Sequence, residues 1–266
     1  ELKFKININT LEKLPISSLE INDVATINIK INKKITFDTY KNCKSMGCGI
    51  LIDKFSNFTV AACMIEFSLY RANNIHFSKS IVSKKLRQGL NGHLSKVIWL
   101  TGLSGSGKST IAKELDQKLF FKNIKSYILD GDNIRHGISK DLGFTNQDRV
   151  ENIRRNAEIA KLMVDAGIVT IVAIISPFAS ERNMARSLFD DNEFIEVFVD
   201  TELEIAEKRD VKGLYKKARS GEIKNFTGIS SPYEKPTNPE LHLKTKNKKP
   251  TDLVEIILSY LNLDIK

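Results

Sequence analysis

The stretch Val97–Ile111, reading VIWLTGLSGSGKSTI, decides the fold of this chain. Its apolar beginning, Val97–Leu100, predicts a buried strand. The strand leads into Gly102–Ser109, which matches the phosphate-binding pattern G-x-x-x-x-G-K-[ST] in full. A plain Gly/Ser turn is the alternative. Because strand, loop and helix patterns follow one another in the order that a phosphate loop requires, we favour the phosphate loop.

The spacing within the loop has a physical reason. Gly102, Gly105 and Gly107 allow backbone conformations that side chains forbid, so that successive N–H groups face phosphate oxygens. Lys108 supplies a positive charge for the β and γ phosphates, and the Ser109 hydroxyl is a ligand for Mg²⁺. The helix expected after the loop points its positive end at the nucleotide.

Composition narrows the class of protein. The 266 residues are 41% hydrophobic, which is enough for the core of one large or two modest domains. No apolar run approaches the roughly 18 residues of a transmembrane helix, and the opening ELKFKININT lacks the apolar centre of a signal peptide. The net charge of +9 comes from dispersed lysines, which favours a small anionic substrate over nucleic acid. Cys43, Cys48 and Cys63 have no second Cys/His pair at zinc spacing and indicate reduced thiols in a cytoplasmic protein.

From Lys96 onward, strand and helix patterns alternate, which predicts an α/β fold with a parallel sheet covered by helices on both faces. Strands are expected at 97–101, 126–130, 169–175 and 194–199. Helices are expected at about 108–121, 148–166, 178–189, 202–209 and 251–263. The segment 210–240 is basic, interrupted by Gly and Pro, and too long for an ordinary loop, which is typical of a lid over a nucleotide site.

The chain before this region has a different pattern. Residues 1 to 66 alternate between apolar and polar positions and are divided by turn residues, which predicts β structure. Residues 67–93 contain no acidic residue and several basic ones, as expected of a linker or a basic arm packed on the next domain. We therefore predict a β domain at 1–66, a linker at 67–93 and an α/β domain at 94–266.

Two carboxylates, Asp130 and Asp132, stand at the end of the expected strand 126–130. At the carboxyl edge of a parallel sheet, beside a phosphate loop, such groups hold Mg²⁺ or accept a proton from a substrate hydroxyl. A simple Asp-Gly turn is the alternative.

Basic, aromatic and polar residues that suit an anionic purine nucleotide follow, namely Arg135, Phe144, Arg149, Asn152, Arg154 and Arg155. A guanidinium fits phosphate or sulfate, and an aromatic ring offers a face to a purine. A solvated basic helix face explains the same spacing equally well. Ser176, which precedes Pro177 at the end of the third strand, reads most simply as a helix cap.

Blocks in the right order resemble the adenylyl-sulfate kinase family across 93–266: GLSGSGKST, LDGDNIRHGISKDLGF, DRVENIRRNAEIAKLMVDAG, ISPFASERNMAR, FIEVFVDTELEIAEKRDVKGLYKKARSGEIKNFTGI and YEKP. The resemblance implies a P-loop NTPase of the nucleotide-kinase type. It further implies that ATP, with Mg²⁺, phosphorylates the ribose 3′-hydroxyl of adenylyl sulfate and gives ADP and 3′-phosphoadenylyl sulfate.

The resemblance also implies roles for single residues. ATP is expected at Gly102, Leu103, Ser104, Gly105, Ser106, Gly107, Lys108, Ser109 and Thr110, with Arg209 near the adenine; Mg²⁺ is expected at Ser109 and Asp130. Adenylyl sulfate is expected at Asp132, Arg135, Phe144, Arg149, Asn152, Ile175, Ser176, Lys212, Phe226 and Thr227. The catalytic candidates are Lys108, Asp132 and Ser176. Asp132 would receive the proton of the 3′-hydroxyl. The serine matching Ser176 is described in the family as a phosphoserine intermediate, which direct in-line transfer does not need.

The chain departs from the family pattern in the expected lid. After FTGI the family usually continues with Asp, whereas this chain has Ser230-Ser231-Pro232.

Residues 1–66 resemble, more weakly, the last β-barrel of the GTP-binding large subunit of sulfate adenylyltransferase, through blocks such as Ile50–Asp53 and Thr59–Ala62. This implies a partial translation-factor-like barrel and a fused adenylyltransferase–kinase parent, with the adenylyltransferase small subunit as a candidate partner. The kinase resemblance implies a homodimer; nucleic acid and membrane are not expected as partners. Two alternatives stay open: a P-loop kinase for another small hydroxyl substrate, and a non-catalytic docking module.

Overall fold

The computed structural model describes residues 2–14, 16, 18–33, 35–66, 80–143, 146–210, 212–223 and 225–264. Phe144 and residues 67–79 of the expected linker lie outside these ranges. The chain forms two compact units, one of Glu1–Ile27 with Ile81–Lys266 and the other of Asn28–Ser80. All three cysteines are described and are unpaired.

Ten strands and eight helices are present in the described residues. The strands are β1 (Leu2–Ile6), β2 (Lys13–Leu14), β3 (Val24–Ile27), β4 (Cys48–Ile52), β5 (Thr59–Met64), β6 (Val97–Thr101), β7 (Ser126–Asp130), β8 (Val169–Ala173), β9 (Phe194–Asp200) and β10 (Leu241–Lys244). The helices are α1 (Lys84–Asn91), α2 (Lys108–Phe121), α3 (Gly131–His136), α4 (Asn146–Asp165), α5 (Ala179–Arg186), α6 (Leu203–Arg209), α7 (Leu214–Arg219) and α8 (Pro250–Tyr260).

The β structure expected before residue 67 is present in both units. In the first unit, β1 pairs antiparallel with β2 on one side and β3 on the other. In the second unit, β4 and β5 form an antiparallel pair.

The α/β part is built on a five-stranded sheet of order β10-β9-β6-β8-β7 in which every pairing is parallel. Alternate residues of β6 enter the two cores on opposite faces: Ile98 and Leu100 pack with α2 and α8, whereas Val97 and Trp99 pack with α4 and α5. All five residues of β6 and of β8 are buried, as expected of apolar strands in a parallel sheet covered on both faces.

The sheet order places the phosphate loop at a ligand-binding edge. The chain passes from β7 and β8, on one side of β6, to β9 on the other. In open parallel sheets, ligands bind outside the carboxyl ends of the strands at such a reversal. Thr101, Asp130, Ala173 and Asp200 end their strands at this edge.

The structure corrects several boundaries. The strand expected at 169–175 ends at Ala173, because the chain turns out of the sheet: Thr101 Oγ1 donates to the carbonyl of Ile175 at 2.7 Å, and Ser176 has a φ of +40°. Three helices had no counterpart among the expected ones: α1 in the expected linker or basic arm, α3 directly after the strand ending at Asp130, and α7 in the expected lid; the strand β10 is new as well.

Helix α1 lies in the segment expected to be a linker or a basic arm packed on the next domain. Its Lys84 pairs with Asp190 at 2.7 Å and Glu193 at 2.5 Å, and its Arg87 pairs with Asp165 at 3.0 Å. These partners stand about a hundred positions away in sequence, so no local pattern reveals that the basic segment docks as a helix. None of the described helices combines the length and apolar character of a membrane span.

Candidate active site

The phosphate loop requires two of its glycines for space as well as for conformation. Gly102 has a φ of +149°, and a Cβ there would lie 2.5 Å from the carbonyl oxygen of Val199. Gly105 has a φ of +71°, and a Cβ would lie 2.9 Å from the carbonyl oxygen of Ala206. Side chains at these positions would push the loop away from β9 and α6, so the loop shape is fixed by its packing.

Lys108, the first residue of α2, folds back over the loop. Its side chain is only 8% exposed, and Nζ donates to the carbonyls of Gly102 at 2.9 Å and Leu103 at 2.7 Å. Burial lowers the pKa of Lys108 to about 7, against the opposing attraction of Asp130 and Asp132. Anionic phosphates in the loop would restore the charged form.

Ser109 and Asp130 form a pair of oxygen donors beside the loop. Ser109 Oγ donates to Asp130 Oδ2 at 2.7 Å, while Asp130 Oδ1 caps α3 by accepting from the N–H of Asp132 at 3.0 Å. The described residues contain no cluster of three or more His, Cys, Asp or Glu side chains suited to a metal. A hydroxyl and one carboxylate nevertheless fit Mg²⁺, which keeps several waters and binds through few carboxylates together with substrate phosphates.

Asp132 faces solvent next to a lid residue. It forms an ion pair with Lys212, and both side chains are 61% exposed. Two residues expected at the acceptor are therefore together, and the carboxylate is open to a substrate hydroxyl.

Arg149 joins α4 to the segment after α7. Its Nη1 donates to Thr227 Oγ1 at 2.9 Å and its Nη2 donates to the carbonyl of Asn225 at 2.5 Å. Burial lowers the pKa of Arg149, and the nearby Arg135 lowers it further, while Glu181 opposes both effects. Arg135 is itself half-buried and donates to the carbonyl of Gly143 at 2.6 Å. Arg135, Arg149 and Thr227 thus gather as the resemblance implies.

One turn after Arg149, Asn152 is 6% exposed, and its Oδ1 has no hydrogen-bond partner among the described residues. A buried acceptor without a partner is costly in an empty protein and is suited to meet a donor on a ligand.

Arg154 and Arg155 have a different environment. Arg154 Nε pairs with Glu151 at 2.8 Å, and Arg155 pairs with Asp141 at 2.6 Å and Glu151 at 2.9 Å. The basic pattern of α4 therefore divides: Arg149 and Asn152 are directed inward, whereas the later arginines form surface ion pairs.

Ser176 is directed into the core. Its side chain is 1% exposed and its hydroxyl accepts from Trp99 Nε1 at 3.1 Å. Its carbonyl accepts from Arg182 Nη1 at 2.8 Å. Because the side chain is buried, its hydroxyl does not face a phosphoryl donor in this conformation, which supports a structural role at the turn after β8.

The base of the lid is hydrogen-bonded to the phosphate loop. Arg209 Nη1 donates to the carbonyls of Gly105 and Ser106, both at 3.4 Å. Tyr215, which the sequence reasoning did not single out, donates from its hydroxyl to the carbonyl of Ser104 at 2.8 Å and packs edge-to-face on Phe226 with ring centroids 5.0 Å apart. Arg209 contacts the phosphate loop directly, and Phe226 is connected to it through Tyr215.

Glu181 was also missed by the sequence reasoning. It is 2% exposed, and its Oε2 accepts from the N–H of Phe178 at 3.4 Å at the start of α5. Burial raises its pKa to about 7, opposed by this hydrogen bond and by Arg182 and Arg149. A Glu at the third position of a helix is an ordinary capping signal. Only the fold brings this carboxyl group close enough to Arg149 for the two to interact electrostatically.

Comparison with known proteins decides the family. A family model described as adenylylsulphate kinase matches residues 94–244. An adenylyl-sulfate kinase of Staphylococcus epidermidis is 56% identical over 190 residues, covering 71% of this chain and 96% of the relative. The chain belongs to the adenylyl-sulfate kinase family. The solved structure of the Mycobacterium tuberculosis APS kinase CysC in complex with AMPPNP and APS matches with a TM-score of 0.61 and 48% identity, covering 63% of this chain and 98% of that one.

The N-terminal part has its own similarity. A family model described as GTP-eEF1A C-terminal domain-like matches residues 1–66. The bifunctional enzyme NodQ of Rhizobium sp. strain N33 is 52% identical over 262 residues, which is 98% of this chain and 41% of that enzyme. The chain therefore spans less than half the length of this bifunctional relative.

Proposed function

We propose that this chain transfers the γ-phosphoryl group of ATP to the ribose 3′-hydroxyl of adenylyl sulfate, and so produces 3′-phosphoadenylyl sulfate for sulfate assimilation. The main observation behind this proposal is that Lys108, Ser109 and the two carboxylates Asp130 and Asp132 lie together at one edge of the sheet. The intact family match over residues 94–244 supports the assignment.

The donor side is built by the loop and Lys108. The loop N–H groups and the positive end of α2 bind the phosphates, and Lys108 neutralises charge at the transferred group. When bound, Mg²⁺ would be held by Ser109 and Asp130 and would neutralise phosphate charge. Arg209, whose guanidinium is bonded to the loop carbonyls, is the residue we propose for the adenine.

The acceptor side is built around Asp132. Its carboxylate takes the proton of the 3′-hydroxyl as that oxygen bonds to the γ phosphorus, while the bond from phosphorus to the leaving oxygen breaks and ADP departs. Arg135 and Arg149 bind the phosphosulfate, and Lys212 forms an ion pair with Asp132. The remaining acceptor residues expected from the resemblance, Phe144, Asn152, Ile175, Ser176, Phe226 and Thr227, bind or shape the adenylyl pocket.

The segment after α6 is the proposed lid of the active site. Closure of the segment after α6 over both substrates would exclude water and so suppress hydrolysis of ATP.

We place the kinase in 94–266 and a partial barrel in 1–66, joined by 67–93, as a piece of a cytoplasmic bifunctional sulfate-activating enzyme. This placement is supported by the two family matches and by the relatives named as bifunctional. A homodimer and the small subunit of sulfate adenylyltransferase are the proposed protein partners.

A panel of acceptors with γ-labelled ATP tests the proposal. Adenylyl sulfate is expected to take the label, while adenosine and a simple sugar are expected to remain unlabelled. Label on a nucleoside or sugar in preference to adenylyl sulfate would assign the chain to another kinase reaction.

A further inference from the structure

A tight turn over residues 225–231 lies between the phosphate loop and Arg149. The carbonyl of Phe226 accepts the N–H groups of Ile229 at 3.1 Å and of Ser230 and Ser231 at 3.0 Å. The guanidinium of Arg149 donates hydrogen bonds to Asn225 and Thr227 at the start of this 225–231 turn. Any shift of the turn therefore moves groups that are expected at the acceptor.

Tyr215 connects this turn to the donor side. Its side chain is 1% exposed; the hydroxyl donates to Ser104 of the phosphate loop, and the ring packs edge-to-face on Phe226. Burial raises the pKa of Tyr215 to about 12, so the hydroxyl keeps its proton and remains a donor at neutral pH. A single rigid side chain thus contacts both the loop that binds ATP and the ring expected at adenylyl sulfate.

Ser230 closes the turn from the exposed side. Its Oγ accepts from the N–H of Phe226 at 2.9 Å, while its own N–H donates to the carbonyl of Phe226. This is a local side-chain turn in which a serine oxygen substitutes for a backbone acceptor. A carboxylate oxygen at the same position would serve the same purpose, which explains how the chain departs from Asp here without losing the turn.

We infer that Tyr215 and Ser230 are positioning residues for the acceptor: together they fix Phe226, Tyr215 from the phosphate loop and Ser230 from within the turn. This inference rests on the proposed function. Neither residue contacts the reacting atoms. Tyr215 acts on both substrates, because it holds the loop as well as the turn, whereas Ser230 acts on adenylyl sulfate alone.

The test compares matched variants by steady-state kinetics and thermal unfolding. Tyr215→Phe keeps the ring and removes the hydroxyl; its control is Tyr233→Phe, at a half-buried tyrosine whose hydroxyl meets Thr101 Oγ1 at 3.0 Å. Because a net hydrogen bond is worth about a two- to tenfold change in an equilibrium constant, Tyr215→Phe is expected to raise KM for both substrates by that factor. Tyr233→Phe is expected to leave both KM values unchanged at a similar loss of melting temperature.

The second pair of variants, at Ser230 and Ser231, tests the effect on the binding of adenylyl sulfate alone. Ser230→Ala is expected to raise KM for adenylyl sulfate about two- to tenfold and to leave KM for ATP unchanged, and Ser230→Asp is expected to restore it. The control is Ser231→Ala, which removes a neighbouring hydroxyl that does not bond to Phe226. This pair also decides the question if Tyr215→Phe fails to fold.

Unchanged KM values in both Tyr215→Phe and Ser230→Ala, with only the melting temperature lowered, would overturn the inference, since the two side chains would then be purely structural. An equal rise of KM for adenylyl sulfate in Ser231→Ala would overturn it as well. Absence of adenylyl-sulfate-dependent turnover in the unaltered chain is a separate result and refutes the proposed function itself.

Discussion

Ser176 provides the sharpest test of how phosphoryl transfer proceeds. In Ser176→Ala the indole N–H of Trp99, which is 0% exposed, loses its acceptor at 3.1 Å. An unsatisfied buried donor costs about 1–3 kcal/mol, so we expect that loss in the free energy of unfolding. Ser176→Gly loses the same bond but relieves the φ of +40°, which is worth roughly 1 kcal/mol or more in a residue held with positive φ. The glycine variant should therefore be the more stable of the two.

Although both Ser176 variants should be less stable, their kcat should change little. Direct transfer to the 3′-hydroxyl leaves Ser176 without a covalent role, so kcat should stay within about tenfold in both variants, whereas loss of a true nucleophile costs on the order of 10³-fold or more. Urea unfolding measures the free energy of unfolding, and steady-state turnover gives kcat. Acid-quenched labelling with γ-labelled ATP detects a phosphoserine at Ser176. A thousandfold fall of kcat in both variants, or label recovered on Ser176 of the unaltered chain, would refute the reasoning.

Three further outcomes follow from the site. Asp132→Asn should lower kcat by about 10²–10⁴-fold while nucleotide affinity, measured by calorimetry, changes little; an unaltered kcat would remove Asp132 as the proton acceptor. Glu181 has a pKa raised from 4.5 to about 7, so the folded state binds a proton that the unfolded chain releases in that window, and stability falls as pH rises through it. Glu181→Gln should thus raise the unfolding free energy by about 1–3 kcal/mol near pH 8 and little near pH 4, whereas an equal change at both would contradict this. Lys108, with a pKa lowered from 10.5 to about 7, should take up a proton when nucleotide binds near pH 8, seen as a binding heat that depends on the buffer; binding without proton uptake would contradict it.

The nucleotide-binding frame was predictable because its signals are local. The loop sequence after Val97–Leu100 specifies a strand, a turn and a helix within fifteen positions, and the structure has β6 and α2 at the expected bounds. Asp130 and Asp132 were predictable for the same reason, since the end of a parallel strand fixes the sheet edge on which they stand.

The contacts between distant segments were not predictable. Helical spacing placed Arg149 and Arg155 on related faces, but only the fold shows Arg149 bonded to Thr227 and Arg155 paired with Asp141. Tyr215 lies in the basic segment that was expected to form a lid, and its partner Ser104 is 111 positions away. The strand β10 has four residues and, among the described strands, pairs with β9 alone, so its short apolar pattern gave a weak strand signal after the expected lid.

The most direct test of the central claim is the release of ADP from ATP and Mg²⁺ with and without adenylyl sulfate, together with identification of the product. We expect ADP release that depends on adenylyl sulfate, 3′-phosphoadenylyl sulfate as the product, and loss of both in a folded Lys108→Ala variant. Slow ATP hydrolysis that is indifferent to adenylyl sulfate, or turnover unchanged by Lys108→Ala, would contradict it.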